Sequence, residues 1–161
     1  MIKEVSGDIL RSEADAIAHG VAPNDDFKQG LALTLREQWP AMYKDFRHYC
    51  QTTHPKSGEI WTWQGVGGPK IVNLFTQEAA YDHGSKPGKA DLKHVNHSLH
   101  ALAKEAEKEG FKSIAITKVA TGVGGLDWND VKPLIESTLG KLGLPIYVYS
   151  EFKKSEKAAE L

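Results

Sequence analysis

The residues best placed to do chemistry fall in three loops. The most informative is Lys118-Val119-Ala120-Thr121-Gly122-Val123-Gly124-Gly125-Leu126-Asp127-Trp128. Glycines at 122, 124 and 125 let backbone N–H groups converge on one point without Cβ atoms in the way. Asp127 or Asn129 can cap the helix that follows. A glycine loop feeding a helix N-terminus is an anion site, because free donors and the helix dipole act together. Each hydrogen bond to a charged oxygen contributes about 1.5–3 kcal/mol, so a few convergent donors suffice to hold a diphosphate. No Gly-Lys-Ser/Thr follows at P-loop spacing, and the run is not a Gly-x-Gly-x-x-Gly dinucleotide fingerprint. A tight strand-to-helix turn with no ligand would use the same residues.

The second loop runs from His19 to Ala32 and is rich in turn formers. His19 closes a strand, and an unperturbed imidazole titrates near neutrality, so it could protonate a leaving group or activate water. The plainer reading is a strand-end histidine satisfied by backbone. Asp25 and Asp26 could also activate water, or serve only as charged turn residues. Asn24, Gly30 and Leu31 are candidate ligand contacts, with Gly30 allowing close approach of backbone. The third loop is Gly7-Asp8-Ile9-Leu10. A carboxylate at Asp8 could accept a hydrogen bond from an exocyclic amine while the Ile9 N–H donates to a ring nitrogen; alternatively Asp8 caps a turn.

The elements that would position these loops alternate along the chain. Ile2–Val5, Ala16–Val21, Glu59–Gln64, Lys70–Phe75, Ser113–Thr117 and Pro145–Tyr149 read as strands. Leu31–Trp39 and Met42–Tyr49 read as helices, the second opened by Pro40. The clearest helix is Asp91–Glu109, where Leu92, Val95, Leu99, Leu102, Ala103 and Ala106 repeat on one face before Gly110. Asn129–Leu142 is a further helix. Alternating strands and helices in the second half imply crossovers on a largely parallel sheet. Ligands collect at the carboxyl ends of such strands, where all three loops lie. One domain over residues 1–152 is expected, with 153–161 a charged, frayed, disordered tail.

Bulk properties set limits on function. The chain has 161 residues, 40% hydrophobic and 25% charged, enough for one cored domain. A net charge of −1 lacks the basic surplus of a protein gripping many phosphates, so strong nucleic-acid binding is not expected. No apolar run reaches membrane-span length, and the charged N-terminus does not read as a signal peptide. Cys50 is the single cysteine, which excludes an internal disulfide and fits a reducing cytoplasmic setting. On a predicted helix with no basic motif nearby, it reads as structural filler. His94, His97 and His100 spread by roughly 60° steps around a helix and do not converge on one ion. No metal and no cofactor are expected.

Taken in order, Val-x-Gly-Asp-Ile at 5–9, the His19-to-Ala32 loop and the Gly122–Trp128 run resemble the macrodomain family. The similarity spans residues 2 to about 149. It favours the branch holding terminal ADP-ribose glycohydrolase, DNA ADP-ribosyl glycohydrolase antitoxins and ADP-ribose-1''-phosphate phosphatase. The resemblance implies a three-layer α/β/α fold with a mixed, largely parallel sheet and ADP-ribose in a cleft across its top. It also implies hydrolysis of ADP-ribosyl linkages or of ADP-ribose 1''-phosphate, or alternatively a reader module without turnover. The partner implied is ADP-ribose or an ADP-ribosylated macromolecule. Asp8 and Ile9 would hold adenine, Thr121, Gly122, Val123, Gly124 and Gly125 the diphosphate, and Gly30 and Leu31 the distal ribose beside His19. Phe152 would stack on adenine or anchor the tail.

Departures from the family pattern bear on the chemistry. The branch's glycohydrolases carry a lysine where Gln77 stands, and an amide cannot form a Schiff base with opened ribose. An acidic residue falls near Gly124, an asparagine near Ala22, and glycines at Lys28 and Ala120. Lysine-dependent deglycosylation is therefore not expected.

Overall fold

The computed structural model describes residues 2–79, 89–122 and 124–160. Among these residues, six strands form one sheet: β1 (Ile2–Gly7), β2 (Ala16–Val21), β3 (Ile60–Gln64), β4 (Lys70–Phe75), β5 (Ile114–Thr117) and β6 (Ile146–Phe152). Their order across the sheet is β1-β6-β5-β2-β4-β3, and every neighbouring pair is parallel except β3 with β4. The helices are α1 (Gly30–Gln38), α2 (Pro40–Thr53), α3 (Leu92–Glu109) and α4 (Trp128–Leu139).

Two apolar clusters, one on each face of the sheet, make the layers. Successive strand residues point to opposite faces, and the sequence obeys this in every central strand. Ala16 and Ala18, Val72 and Leu74, Ile114 and Ile116, and Ile146 and Val148 pack with α3 and α4. Ile17 and Val21, Ile71 and Phe75, Ala115, and Tyr147 and Tyr149 pack with α1 and α2. A parallel sheet covered on both sides has to be apolar on both sides, which is why these strands read as nearly continuous apolar runs. The three-layer, mixed and largely parallel architecture is the one expected.

Helix ends follow local chemistry. Asp91 caps α3 by accepting from the Lys93 N–H at 2.7 Å, and Gly110 ends it in the left-handed region at φ 68°. The buried face of α3 is Val95, Leu99, Leu102 and Ala106, while Leu92 in its first turn stays 38% exposed. Asp127, rather than Asn129, caps α4 by accepting from the Asn129 N–H at 2.8 Å. The helix expected to reach Leu142 stops at Leu139 and tightens into a short 3-10 turn over Gly140–Leu142.

The C-terminal stretch departs from the frayed tail that its charge suggests. The last strand runs on to Phe152, and residues 153–160 fold back along β1. Lys153 N–H donates to the Gly7 carbonyl at 3.1 Å and Asp8 N–H to the Glu156 carbonyl at 2.8 Å. The Glu160 carboxylate accepts from the Tyr149 hydroxyl at 2.6 Å and from the Glu13 N–H at 3.1 Å, and Ala158 is buried. Composition misled because one small apolar residue and one carboxylate supply the anchorage that an apolar run usually provides. No described helix is long and apolar enough to cross a membrane.

Because Asp127 satisfies an otherwise open amide at the start of α4, Asp127→Ala is expected to lower stability by about 1 kcal/mol. Denaturant unfolding of the two proteins checks this.

Candidate functional site

The strand order lays the three sequence-predicted loops side by side. The loop after β2 and the loop after β5 are neighbours, while the Asp8 loop after β1 lies two strands further along. At about 4.8 Å per strand, this sets Asp8 about 10 Å from the glycine loop. A ligand held at all three must be elongated, with an anionic middle.

A cleft of about 360 Å³ opens between the β2 and β5 loops, within the usual size for small-molecule sites. His19, Gly20, Asp25, Gly30, Leu31 and Gln77 line one side and Thr117–Ala120, Gly122 and Gly124 the other. The structure thus brings His19, Gly30, Leu31, Gly122 and Gly124 together. Thr121 and Gly125 flank this wall without lining it, Asn24 is exposed at φ 61°, and Val123 lies outside the described residues. Asp8, Ile9 and Phe152 do not line the cleft; Asp8 and Ile9 are buried and Phe152 is 64% exposed.

Among the described residues the glycine loop folds on itself through three backbone bonds, with the Thr121 hydroxyl also donating to the Lys118 carbonyl at 2.7 Å. Thr121 N–H donates to the Lys118 carbonyl (3.3 Å), Gly125 N–H to the Gly122 carbonyl (3.1 Å) and Leu126 N–H to the Ala120 carbonyl (3.0 Å). Among the described residues, the Gly122 and Gly124 amides have no internal acceptor. Both glycines line the cleft, in the loop that leads into α4. Gly124 has no room for a side chain: a Cβ there would sit 2.6 Å from the Ala120 carbonyl oxygen and 2.8 Å from Ala90 Cβ. Ala120 takes φ 66°, the left-handed region where glycine is at ease.

His19 sits on β2 opposite Asn73 on β4, and its Nε2 lies 2.7 Å from Asn73 Oδ1. Asn73 Nδ2 donates to the Trp61 carbonyl at 3.3 Å, so Oδ1 is the acceptor and His19 Nε2 carries the proton. The ring is 2% exposed and meets Phe27 edge-on at 5.9 Å. Burial pushes its pKa down to about 4, against the opposing effect of the Asn73 bond. The near-neutral titration expected from its type is therefore lost; the imidazole is neutral at pH 7 and offers only the Nδ1 lone pair.

Residues that sequence reasoning had set aside or missed also matter. Asp25 accepts from the Phe27 N–H at 2.9 Å and lines the cleft. Burial raises its pKa, an effect opposed by backbone N–H bonds from Phe27 and Ala22 and reinforced by Asp26. Asn73 had no signal beyond a polar residue inside an apolar strand. Gly20 lies against Thr76, whose Oγ1 would be 2.7 Å from a Cβ at that position. Outside the cleft, His94 pairs with Glu78 at 2.8 Å, His97 and His100 are exposed, and Cys50 is buried.

Two predictions follow from this geometry. A histidine charged below pH 6.5 when unfolded, but only near pH 4 when folded, stabilises the fold above pH 6.5. That contribution, roughly 3 kcal/mol, is lost as pH falls from 6.5 towards 4. Chemical denaturation across that range is expected to show a steeper decline for wild type than for His19→Gln, which does not titrate. Separately, Gly124→Ala is expected to destabilise by about 1–3 kcal/mol through overpacking. Gly122→Ala, whose Cβ would meet nothing within 4 Å, is expected to leave the melting temperature nearly unchanged.

Comparison with known proteins adds a family to this geometry. The Macro domain family model matches residues 22–135. A DNA ADP-ribosyl glycohydrolase of Mycobacterium tuberculosis is 28% identical over 145 residues, covering 88% of this chain and 40% of that protein. The chain thus spans about two fifths of the length of that relative. Among solved structures, the macrodomain of Mycobacterium tuberculosis DarG superposes with a TM-score of 0.83 at 24% identity, covering 92% of this chain and 97% of that one. Thermosipho africanus DarTG in complex with ADP-ribose gives 0.82 at 22% identity, covering 97% and 42% respectively. Both likenesses are likenesses of fold.

Proposed function

The chain belongs to the macro domain family, and from that premise we propose that its cleft binds ADP-ribose and hydrolyses an ADP-ribosyl linkage at the distal ribose. One observation supports the binding reading: Gly122 and Gly124, whose amides have no acceptor among the described residues, line the same cleft as His19, Gly30 and Leu31. The diphosphate rests on that glycine loop, flanked by Thr121 and Gly125. The distal ribose lies against Gly30 and Leu31, with Asn24 at the mouth. Adenine reaches Asp8 and Ile9, with Phe152 alongside. That an ADP-ribose complex exists for Thermosipho africanus DarTG, which shares this fold, supports the choice of ligand.

The hydrolytic step follows from what the cleft offers. Gln77 provides no amine, so the ribose is not captured covalently by a side chain at that position. Water is the remaining nucleophile. Its oxygen bonds to the anomeric carbon as the bond to the leaving group breaks, and the leaving group departs with the electron pair. Asp25, a carboxylate in the cleft, takes the proton that water gives up. His19 holds the water through Nδ1; with its pKa lowered to about 4 by burial it is not charged at pH 7 and does not serve as the proton-donating acid. The name of the Mycobacterium tuberculosis relative, a DNA ADP-ribosyl glycohydrolase, supports this reaction class. A reader module without turnover is the second reading, favoured by the same Gln77 and by the absence of space for an acid at 124.

Calorimetry with ADP-ribose and AMP tests binding. ADP-ribose is expected to bind at least about tenfold tighter than AMP, a gain of about 1.4 kcal/mol from distal contacts; equal affinities would remove the ribose assignment. For turnover, ADP-ribosylated DNA, glutamate-modified protein and ADP-ribose 1''-phosphate are incubated with wild type and Asp25→Asn. Loss of a positioned base is expected to slow release by about 100-fold or more while ADP-ribose still binds. No product from any substrate at high protein concentration would leave the reader.

A further inference from the structure

Residues 153–160 look like solvated tail by composition, yet they make their contacts at one end of the proposed site. Ser155 N–H donates to Asp8 Oδ2 at 3.0 Å, while Asp8 Oδ1 accepts from the Leu10 N–H at 3.1 Å. The Asp8 amide is also taken, by the Glu156 carbonyl at 2.8 Å. Both oxygens of this carboxylate therefore have partners, and Asp8 is only 7% exposed. Nearby, the chain passes so close that a Cβ on Gly7 would sit 2.9 Å from Ala158. The open cleft stops short of Asp8 and Ile9.

The far end of the segment is fastened separately. The Glu160 carboxylate accepts from the Ser12 hydroxyl at 2.5 Å, the Tyr149 hydroxyl at 2.6 Å and the Glu13 N–H at 3.1 Å. Lys157 pairs with Glu13 at 2.6 Å. Between the two attachments, Ser155 is held at φ 62°, a left-handed conformation that a serine adopts only when its neighbours impose it. With Asp8 only 7% exposed, a base whose exocyclic amine approaches Oδ2 meets the Ser155 segment, and displacing its N–H exchanges one hydrogen bond for another of the same kind. Such an exchange is close to balanced, so fastening at Glu160 decides which partner Asp8 keeps.

We propose that residues 153–160 form a latch that competes with the adenine base for the Asp8 carboxylate and so sets the affinity of the site. This rests on the ADP-ribose reading of the cleft. The ligand's phosphate and distal ribose bind whether the latch is fastened or not; its adenine binds only when Ser155 lets go. A latch closed in about nine molecules of ten weakens apparent affinity about tenfold.

Two variants of the full chain loosen it by different means. Glu160→Ala removes the distal fastening. Ser155→Pro removes the N–H donor and cannot take φ 62°. Calorimetry measures their affinity for ADP-ribose and for ribose 5-phosphate, which lacks the base, after circular dichroism has shown each variant folded. Both are expected to bind ADP-ribose about tenfold tighter than wild type, with ribose 5-phosphate unchanged. In wild type, the Ser155 amide is expected to exchange with solvent faster once ADP-ribose is bound, and not with ribose 5-phosphate. Unchanged or weaker ADP-ribose affinity in the variants, with the Ser155 amide still protected in the complex, overturns the latch and leaves the cleft reading intact. If neither ligand binds wild type or variants, the ADP-ribose reading itself is overturned, and the latch with it.

Discussion

A loop that spends only part of its hydrogen-bonding capacity on itself governs this molecule. Leu126 N–H returns to the Ala120 carbonyl and Gly125 N–H to the Gly122 carbonyl, closing the turn. The amides of Gly122 and Gly124, two residues that line the cleft, have no acceptor among the described residues. Gly124 is buried while Gly122 is open to solvent; an anion is a partner that suits free backbone donors in a loop leading into a helix. The packing around Gly124 fixes this geometry, since the Ala120 carbonyl oxygen and Ala90 Cβ crowd the space a side chain would need. The binding reading rests on those two amides staying open.

From that point the sheet order does the rest. Because β6 and β5 lie between β1 and β2, the Asp8 loop, the glycine loop and the His19 loop fall in line across the sheet top. An elongated ligand with a charged centre matches that line, and a compact mononucleotide matches only part of it. The same geometry divides the polar groups by environment. His19 is sealed between Asn73 and Phe27 and loses its charge to burial. Asp25 sits at the cleft wall with its pKa raised by burial. In the proposed reaction the carboxylate accepts the proton and the imidazole positions the water.

Much of this was legible in the residues. Alternating strands and helices in the second half announced a largely parallel sheet, and the apolar repeat from Leu92 to Ala106 with Gly110 after it marked α3. The glycine run marked the loop as a candidate anion site; in the structure the need for glycine is clearest at Gly124, where a Cβ would clash, and at Gly125, held at φ 78°. What escaped was set by tertiary contact. The lowered pKa of His19 comes from burial, opposed by a hydrogen bond to a partner 54 positions away, and no local pattern announces either. The C-terminal segment was misread because its anchors, Ala158 and Glu160, are weak signals unless Gly7, Ser12 and Tyr149 are known to face them. Asp25 was visible as a turn former, but its place on the cleft wall is a matter of how the β2 loop folds over α1.

Nuclear magnetic resonance of the 15N-labelled chain during titration with ADP-ribose probes the glycine loop most directly. The account predicts saturable downfield shifts of the Gly122 and Gly124 amide protons as they begin to donate to phosphate oxygens. Amides that stay unmoved at millimolar ADP-ribose would contradict it.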